Sequence, residues 1–315
     1  MSIYLCGELD PPEIEGWLQA LREALPEERV ETSLSALDPA AVDIALVANP
    51  SPGSLKTFTS LRLIQSLWAG VDRLLGDTTL PGHVPLARMV DDSMSRAMVE
   101  TALWAVLSLH RGYFDYAQQQ RERRWVVLPQ RRADELQVTV LGLGQLGSAV
   151  ASRLAMQGYV VQAWRHGGRA SVSSPTGISV HEGDAALLPL LARSDIVVNL
   201  LPLTDSTRGF FDAERMAAMK RGAALVNLAR GAHVVEADLL AALEGGQLSR
   251  AVLDVFQREP LDAAHPFWSH PRVTVLPHAA ALTDPRSAAR VVAANVRAVR
   301  SGGPVAHLVD RTRGY

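Results

Sequence analysis

The chain has 315 residues, is 48% hydrophobic and 20% charged, and carries a formal net charge of -2. That length suits about two domains, each large enough to bury a core, and the near-neutral charge gives no electrostatic reason to expect nucleic acid or an anionic membrane as partner. A single cysteine, Cys6, excludes an intramolecular disulfide, and no apolar run reaches the ~18 residues a bilayer span needs, so a reducing, cytoplasmic setting is expected.

Met1-Ser2-Ile3-Tyr4 has no basic start and meets Asp10-Pro11-Pro12 before any long apolar segment forms, which argues against a secretory signal. Cys6, beside Ile3-Tyr4-Leu5, reads as a buried, inert thiol. Short apolar runs then alternate with amphipathic stretches, the pattern of a parallel sheet covered by helices. The first third offers strands at Ser2–Cys6, Asp43–Ala48, Arg62–Gln65 and Leu86–Val90, with Leu18, Leu21 and Leu25 as one helical stripe. From Met94 to His110 the spacing is helical, with Val99, Leu103, Val106 and Leu107 on one face. The segment Gln118 to Arg132 is polar and rich in arginine, which reads as a solvated face. A second α/β series follows, with strands at Gln137–Leu141, Val160–Trp164, Ile196–Leu201, Ala223–Leu228, Ala251–Val255 and Arg272–Leu276. Six strands with helices between them match a doubly wound, Rossmann-type sheet. The expected architecture is that sheet, over 101–284, inserted in a smaller α/β domain of residues 1–100, which a last helix from Pro285 to Val299 and the tail to 315 complete.

Gly142-Leu143-Gly144-Gln145-Leu146-Gly147 falls directly after a strand and before a helical pattern. The first glycine permits the turn, the second lets backbone approach a pyrophosphate, and the third lets helix and strand pack closely. The helix N-terminus, with Gln145 and Leu146 in its first turn, offers N–H groups and partial positive charge to phosphate. The second strand of such a sheet usually ends in an acid that holds the ribose hydroxyls. Here the position is Arg165, 18 residues after Gly147, followed by His166 and Arg169. A carboxylate would repel a 2′-phosphate and a guanidinium grips it, so NADPH is expected over NADH.

Three further motifs follow strands on the other side of the sheet: Asn227-Leu228-Ala229-Arg230-Gly231, Asp254-Val255-Phe256-Gln257-Arg258-Glu259-Pro260-Leu261, and Leu276-Pro277-His278-Ala279-Ala280. Ligands of open α/β sheets bind at the carboxyl ends of strands. There Arg230 can hold a carboxylate and polarise the carbonyl next to it. His278 can donate a proton, and Glu259 can orient the imidazole and raise its pKa. Any one of the three alone would read as an ordinary surface or structural residue.

Together these motifs, with Leu201-Pro202-Leu203-Thr204 and Met219 to Leu243, resemble the D-isomer-specific 2-hydroxyacid dehydrogenase family over almost the whole chain. Trp164-Arg165 and the tail Val309-Asp310-Arg311-Thr312-Arg313-Gly314-Tyr315 are similar to its bacterial glyoxylate/hydroxypyruvate reductase A group. The resemblance implies a flavodoxin-like first domain and NADPH-dependent reduction of glyoxylate, hydroxypyruvate or a similar 2-oxo acid. It gives Arg230, Glu259 and His278 the roles above and makes Asp254 the acceptor for the nicotinamide carboxamide. It has Leu201, Pro202, Thr207, Leu228, Ala229, Arg230, His278 and Ala280 line the cofactor, and Trp68, Ala69 and Gly70 bind the substrate carboxylate. It also implies a homodimer in which the segment Tyr113 to Arg132 reaches over the partner. The apolar cluster Trp125-Val126-Val127-Leu128 in that polar linker places Trp125 against the second subunit. No metal is expected. Ala48 departs from the reductase group, which often carries tryptophan there. Formate oxidation is disfavoured because such enzymes carry glutamine at the position of Glu259. Phosphite oxidation fits the trio but not Arg165, and a dinucleotide-sensing binding protein would not require all three catalytic residues.

Overall fold

The computed structural model describes Ser2–Gly167 and Gly177–Tyr315. Its contacts divide the chain into two units, Met1–Met94 with Thr283–Tyr315, and Ser95–Leu282.

In the first unit β1 (Ser2–Gly7), β2 (Val30–Glu31), β3 (Val42–Ala48), β4 (Leu63–Ser66) and β5 (Leu86–Ala87) form a parallel sheet in the order β2-β1-β3-β4-β5. Every residue of β3 is buried, as expected of a central strand covered on both faces. The sequence reading missed β2, which is two residues long and half polar, and β5 stops at Ala87, where the Arg88 N–H turns to the His307 carbonyl. Helix α1 (Pro11–Ala24) starts on a capping box between Asp10 and Glu13, and α2 (Asp72–Leu75) is a single turn. The buried face of α1 is Trp17, Ala20 and Leu21; Leu18 lies to one side of the expected stripe, because the larger Trp17 fills the interior. Cys6 is half-buried in β1, and burial pushes its thiol up to about 12, which suits an inert side chain.

Helix α9 (Pro285–Ser301) packs beside α1 and buries a spine of Ala288, Val292, Ala293, Val296 and Val299. Polar ties fix its register. Asn295 Nδ2 donates to Gln65 Oε1 at 2.7 Å in the interior, and Arg300 pairs with Glu28 at 2.5 Å and with Asp43, whose side chain is 4% exposed.

The second unit begins in α3 (Asp92–His110) and continues through α4 (Tyr113–Arg121), β6 (Gln137–Leu141), α5 (Gln145–Met156), β7 (Val160–Arg165), β8 (Ser179–Glu182), α6 (Asp184–Leu191), β9 (Ile196–Asn199), α7 (Ala213–Ala218), β10 (Ala223–Asn227), α8 (Glu236–Glu244), β11 (Leu248–Leu253) and β12 (Val273–Val275). The strands pair in parallel in the order β12-β11-β10-β9-β6-β7-β8. Among the described residues the sheet thus has seven strands rather than six. The addition, β8, reads Ser-Val-His-Glu at the sheet edge and carries too little apolar signal to be found by pattern.

Alternation along β6 divides the interior. Val138 and Val140 face a core built with α3 and α5, and Leu141 faces a second core with α6, α7 and α8. The chain runs outward from β6 through β7 to β8, then returns to lay β9 on the other side of β6. The crevice for a ligand belongs at that reversal, between β6 and β9. On α3 the buried spine is Met98, Ala102, Ala105 and Val106, whose small alanines let the helix close on the sheet. The expected Val99, Leu103 and Leu107 are only partly buried, and the last two turn toward a groove with Trp104, Tyr113 and Phe114. Among the described residues no helix is long and apolar enough to cross a membrane.

Breaking a buried ion pair by removing one partner costs about 3–5 kcal/mol, because the other charge stays behind uncompensated. Arg300→Met should therefore lower the urea midpoint of the first unit clearly, and adding Asp43→Asn should recover part of the loss. Equal midpoints for wild type and Arg300→Met would show that α9 does not depend on this pair.

Candidate active site

The glycine-rich turn sits at the reversal. Gly142 has a φ of +93°, and a Cβ there would lie 2.6 Å from the Leu200 carbonyl oxygen. A Cβ on Gly147 would lie 1.8 Å from the Gly142 oxygen, so helix and strand meet only because that position is bare. Gly144 caps α5 with nothing within 4 Å of a Cβ placed on it. These are the three requirements of a pyrophosphate turn: a strained bend, a close helix–strand contact, and one open face at a helix N-terminus. The turn fits a dinucleotide.

The acid–base pair stands on the loops that follow β11 and β12. His278 Nδ1 lies 2.7 Å from Glu259 Oε2, and Glu259 Oε1 accepts the Phe256 N–H at 2.9 Å. The Glu259 hydrogen bond raises the His278 pKa and outweighs the partial desolvation of the ring. Burial works to raise Glu259, but the bonds from His278 and the Phe256 N–H bring it below the ordinary carboxylate value. The Arg230 charge acts on both groups, so three residues from three strand ends share one electrostatic site. Arg230 is steadied by its own Nη1 bond to the Ala229 carbonyl at 2.8 Å. Gly231 next to it lies so close to the following loop that a Cβ would come within 1.9 Å of the Phe256 carbonyl carbon.

Asp254, at the end of β11, is 1% exposed, and its two oxygens accept the N–H groups of Ala279 at 2.7 Å and Ala280 at 3.1 Å. The His278 N–H donates to the Asp254 carbonyl at 2.8 Å. Three consecutive amides thus converge on one residue, and His278 takes a φ of +54°, a left-handed conformation that is uncommon without glycine. Burial raises the Asp254 pKa against the lowering effect of the two amides. A carboxamide would have to use the lone pairs that these amides leave.

Sequence reasoning missed a buried network behind Arg230. Asn199 and Asn227 are register partners at the ends of β9 and β10. Asn199 Nδ2 donates to Asn227 Oδ1 and to Nδ1 of His233, each at 2.9 Å, and its Oδ1 accepts the Leu201 N–H. Asn227 Oδ1 accepts the Ala229 N–H and its Nδ2 donates to the Arg230 carbonyl at 2.9 Å. With Nδ1 accepting, Nε2 of His233 carries the proton and donates to the Pro202 carbonyl at 3.3 Å. That carbonyl also accepts the Thr207 hydroxyl at 2.7 Å. The loop of Leu201, Pro202 and Thr207 and the loop of Leu228, Ala229 and Arg230 are therefore fastened to each other. Two asparagines closing adjacent apolar strands were the available signal, since a buried polar side chain requires partners.

Elsewhere, Arg165 ends β7 and bonds Glu182 of β8, while His166 Nδ1 is 3.3 Å from an Asp184 oxygen. Arg169 lies outside the described residues. Ala280 is buried against the α3 side of the sheet. In the first unit Trp68, Ala69 and Gly70 follow β4, with the Trp68 N–H on Ser66 Oγ at 3.1 Å. Ala48 is the fully buried last residue of β3.

The family model described as "D-isomer specific 2-hydroxyacid dehydrogenase, NAD binding domain" matches residues 103–280. The chain is 40% identical to "Glyoxylate/hydroxypyruvate reductase A" of Escherichia fergusonii over 305 residues, 95% of this chain and 96% of the relative. It is 40% identical to the protein of that name from Serratia proteamaculans, with 96% of each covered. A D-isomer specific 2-hydroxyacid dehydrogenase of Xanthobacter autotrophicus, solved with NADPH and MES, superposes with a TM-score of 0.93 at 40% identity, covering 100% of this chain and 99% of that one. An NADPH-dependent glyoxylate/hydroxypyruvate reductase of Sinorhizobium meliloti, solved with NADP and sulfate, gives 0.91 at 33% identity with all of both chains covered.

A raised pKa means that the folded site favours the imidazolium, and the Glu259 hydrogen bond is the largest cause. Glu259→Gln should bring His278 down toward the ordinary imidazole value, measured by NMR titration of its ring protons. A value that stays put, or rises, removes Glu259 as its partner.

Proposed function

The chain belongs to the D-isomer specific 2-hydroxyacid dehydrogenase family, and we propose that it reduces small 2-oxo acids such as glyoxylate and hydroxypyruvate to D-2-hydroxy acids, with NADPH as the preferred cofactor. The observation that carries the reading is the contact of His278 Nδ1 with Glu259 Oε2 at 2.7 Å, with the Arg230 charge acting on both. Bound NADPH supplies the hydride. Arg230 holds the substrate carboxylate and draws electron density from the adjacent carbonyl oxygen. His278 keeps Nδ1 on Glu259 and presents Nε2–H to that oxygen, which takes the proton as its negative charge develops. Glu259 holds the imidazolium in the protonated state until then. The pyrophosphate falls to Gly142, Gly144, Gln145, Leu146 and Gly147, the nicotinamide end to Asp254, Ala229, Ala280 and the 201–207 loop, and the 2′-phosphate to Arg165 with His166. Family resemblance gives the substrate carboxylate a second partner in the loop Trp68-Ala69-Gly70. It also supports residues 101–284 as the dinucleotide domain and 1–100 with 285–315 as the substrate domain; the single cysteine, Cys6, suits a reducing compartment and supports action in the cytoplasm.

The direct test is turnover with NADPH and glyoxylate. His278→Ala should lower kcat roughly 10²-fold while leaving NADPH binding largely intact. Arg230→Ala should raise KM and lower kcat together, since one side chain serves carboxylate and carbonyl. A His278→Ala enzyme with the wild-type kcat would assign the proton to another group.

For cofactor choice, kcat/KM with NADPH should exceed that with NADH by at least ~10-fold, which is about 1.4 kcal/mol. Arg165→Asp should shrink or reverse the ratio. A wild type that prefers NADH would remove the argument from the second strand.

A homodimer accounts for the linker. Trp125 is 96% exposed and Val127 79% exposed, so neither packs on its own subunit. The backbone next to each is nevertheless held, the Val126 N–H donating to Gln119 Oε1 and the Leu128 N–H to Tyr116 Oη, both at 3.1 Å. Leaving such apolar surface in water forgoes about 25 cal/mol per Å². The groove of Leu103, Trp104, Leu107, Tyr113 and Phe114, about 560 Å³, is a second uncovered apolar surface on the same unit. Trp125→Ala with Leu128→Ser should weaken dimerisation in sedimentation runs at micromolar concentration. A monomeric wild type, or an unaltered dimer in the double variant, sinks this assignment.

A further inference from the structure

The sequence places arginine at the end of β7, where a carboxylate is usual. The fold brings a carboxylate back. Strand β8 runs parallel to β7 with Glu182 as the register partner of Arg165. Adjacent strands are about 4.8 Å apart, so side chains at one rung stand side by side on one face. Arg165 Nε donates to Glu182 Oε1 at 2.7 Å, and Nη2 reaches the same oxygen. The Glu182 side chain is 47% exposed, so its charge is turned to solvent as well as to the arginine. This proximity comes from strand register and does not depend on one choice of rotamer.

A guanidinium carries five N–H donors in a fixed plane. Glu182 occupies the Nε edge, and among the described residues no hydrogen bond takes up Nη1, which can meet another anion. Glu182 therefore does not block a 2′-phosphate from Arg165. It places a like charge beside it. A ribose 2′-hydroxyl differs in kind, because it is a donor that a carboxylate satisfies and a guanidinium does not.

We propose that Glu182 is a specificity-determining residue of the cofactor site, restraining the preference for a 2′-phosphorylated dinucleotide by repelling its phosphate and accepting a bond from the free 2′-hydroxyl of the unphosphorylated one. The proposal rests on the dinucleotide reading above and adds the residue that sets how far Arg165 tips the choice. Because Glu182 is half in water, solvent and salt screen its charge, and the effect is several-fold rather than many orders of magnitude. The opposite role would be positioning, with Glu182 holding the guanidinium ready for phosphate. The two roles predict opposite signs when the charge is removed.

The experiment is fluorescence titration of the full chain with NADPH and with NADH, for wild type, Glu182→Gln, Glu182→Lys and Arg165→Ala, with melting curves to show that each is folded. The ratio of the NADH Kd to the NADPH Kd should rise about 5-fold in Glu182→Gln, further in Glu182→Lys, and the rise should shrink as salt is added. A ratio that is unchanged or lower in both Glu182 variants overturns the proposal. Arg165→Ala separates the two ideas. If it collapses the ratio while the Glu182 variants leave it alone, Arg165 stands and Glu182 falls. If the Glu182 variants raise the ratio while Arg165→Ala does nothing, Glu182 stands and the reading of Arg165 fails.

Discussion

Asp254 is a carboxylate with 1% of its surface exposed, and the geometry of the site hangs on how that burial is compensated. Burying an ionised carboxylate is costly unless hydrogen-bond donors meet it. Here the donors are the N–H groups of Ala279 and Ala280, supplied by the chain just beyond β12. For both amides to point inward, the residue before them must turn, and that residue is His278, with its own N–H on the Asp254 carbonyl. The left-handed backbone of His278 follows from that arrangement, and it is this turn that brings the imidazole to Glu259. A strained backbone at a functional residue persists where neighbouring bonds over-determine it, as three converging amides do.

Arg230 is held by a separate device of the same kind. Its carbonyl is fixed by Asn227, Asn227 by Asn199, and Asn199 by His233, which ends on the Pro202 carbonyl. Within this chain of bonds each amide and ring nitrogen uses its donor or acceptor in one consistent sense. Such fully connected buried networks favour one arrangement, because any rotation strands a buried polar atom. The arginine is thereby placed by strand ends rather than by a flexible loop. The same network sets the 201–207 loop, so the arginine and the residues proposed to line the cofactor share one foundation.

The sequence made the rigid parts of this legible and left the relational parts hidden. Gly142, Gly144 and Gly147 could be assigned their tasks because each constraint is local: a φ, a helix–strand contact, an open face. Arg230, Glu259 and His278 could be grouped because each follows an apolar strand, and strand ends of a parallel sheet share an edge. Strands β2 and β8 escaped because two or four partly polar residues carry no periodic signal. On α3 the apolar pattern reads as one broad stripe, and only the packing divides it into a buried spine of Met98, Ala102, Ala105 and Val106 and an uncovered side at Leu103 and Leu107. The pairing of Arg165 with Glu182 depends on strand register between residues 17 apart, which no local motif encodes. Sequence inspection therefore finds no acid at the end of β7, and the fold sets one beside it from the next strand.

The two ends of the sheet follow different rules, with a consequence for how such a protein changes. On the β9–β12 side the polar groups behind the site are buried and mutually satisfied, so altering one leaves another without a partner and costs stability as well as geometry. On the β7–β8 side the charges are paired but open to water, where ion pairs contribute little to stability and are readily exchanged. Glu182, His166 and Asp184 are 47%, 63% and 81% exposed, and Arg165, at 22%, is the most enclosed of the four. Among the described residues no hydrogen bond links the Arg165–Glu182 pair to His278, Glu259 or Arg230, so the β7–β8 end can vary in charge without disturbing the His278–Glu259 pair. The groups proposed to set cofactor preference and the group proposed to donate the proton thus stand on structurally independent parts of one sheet, with the reversal between β6 and β9 between them.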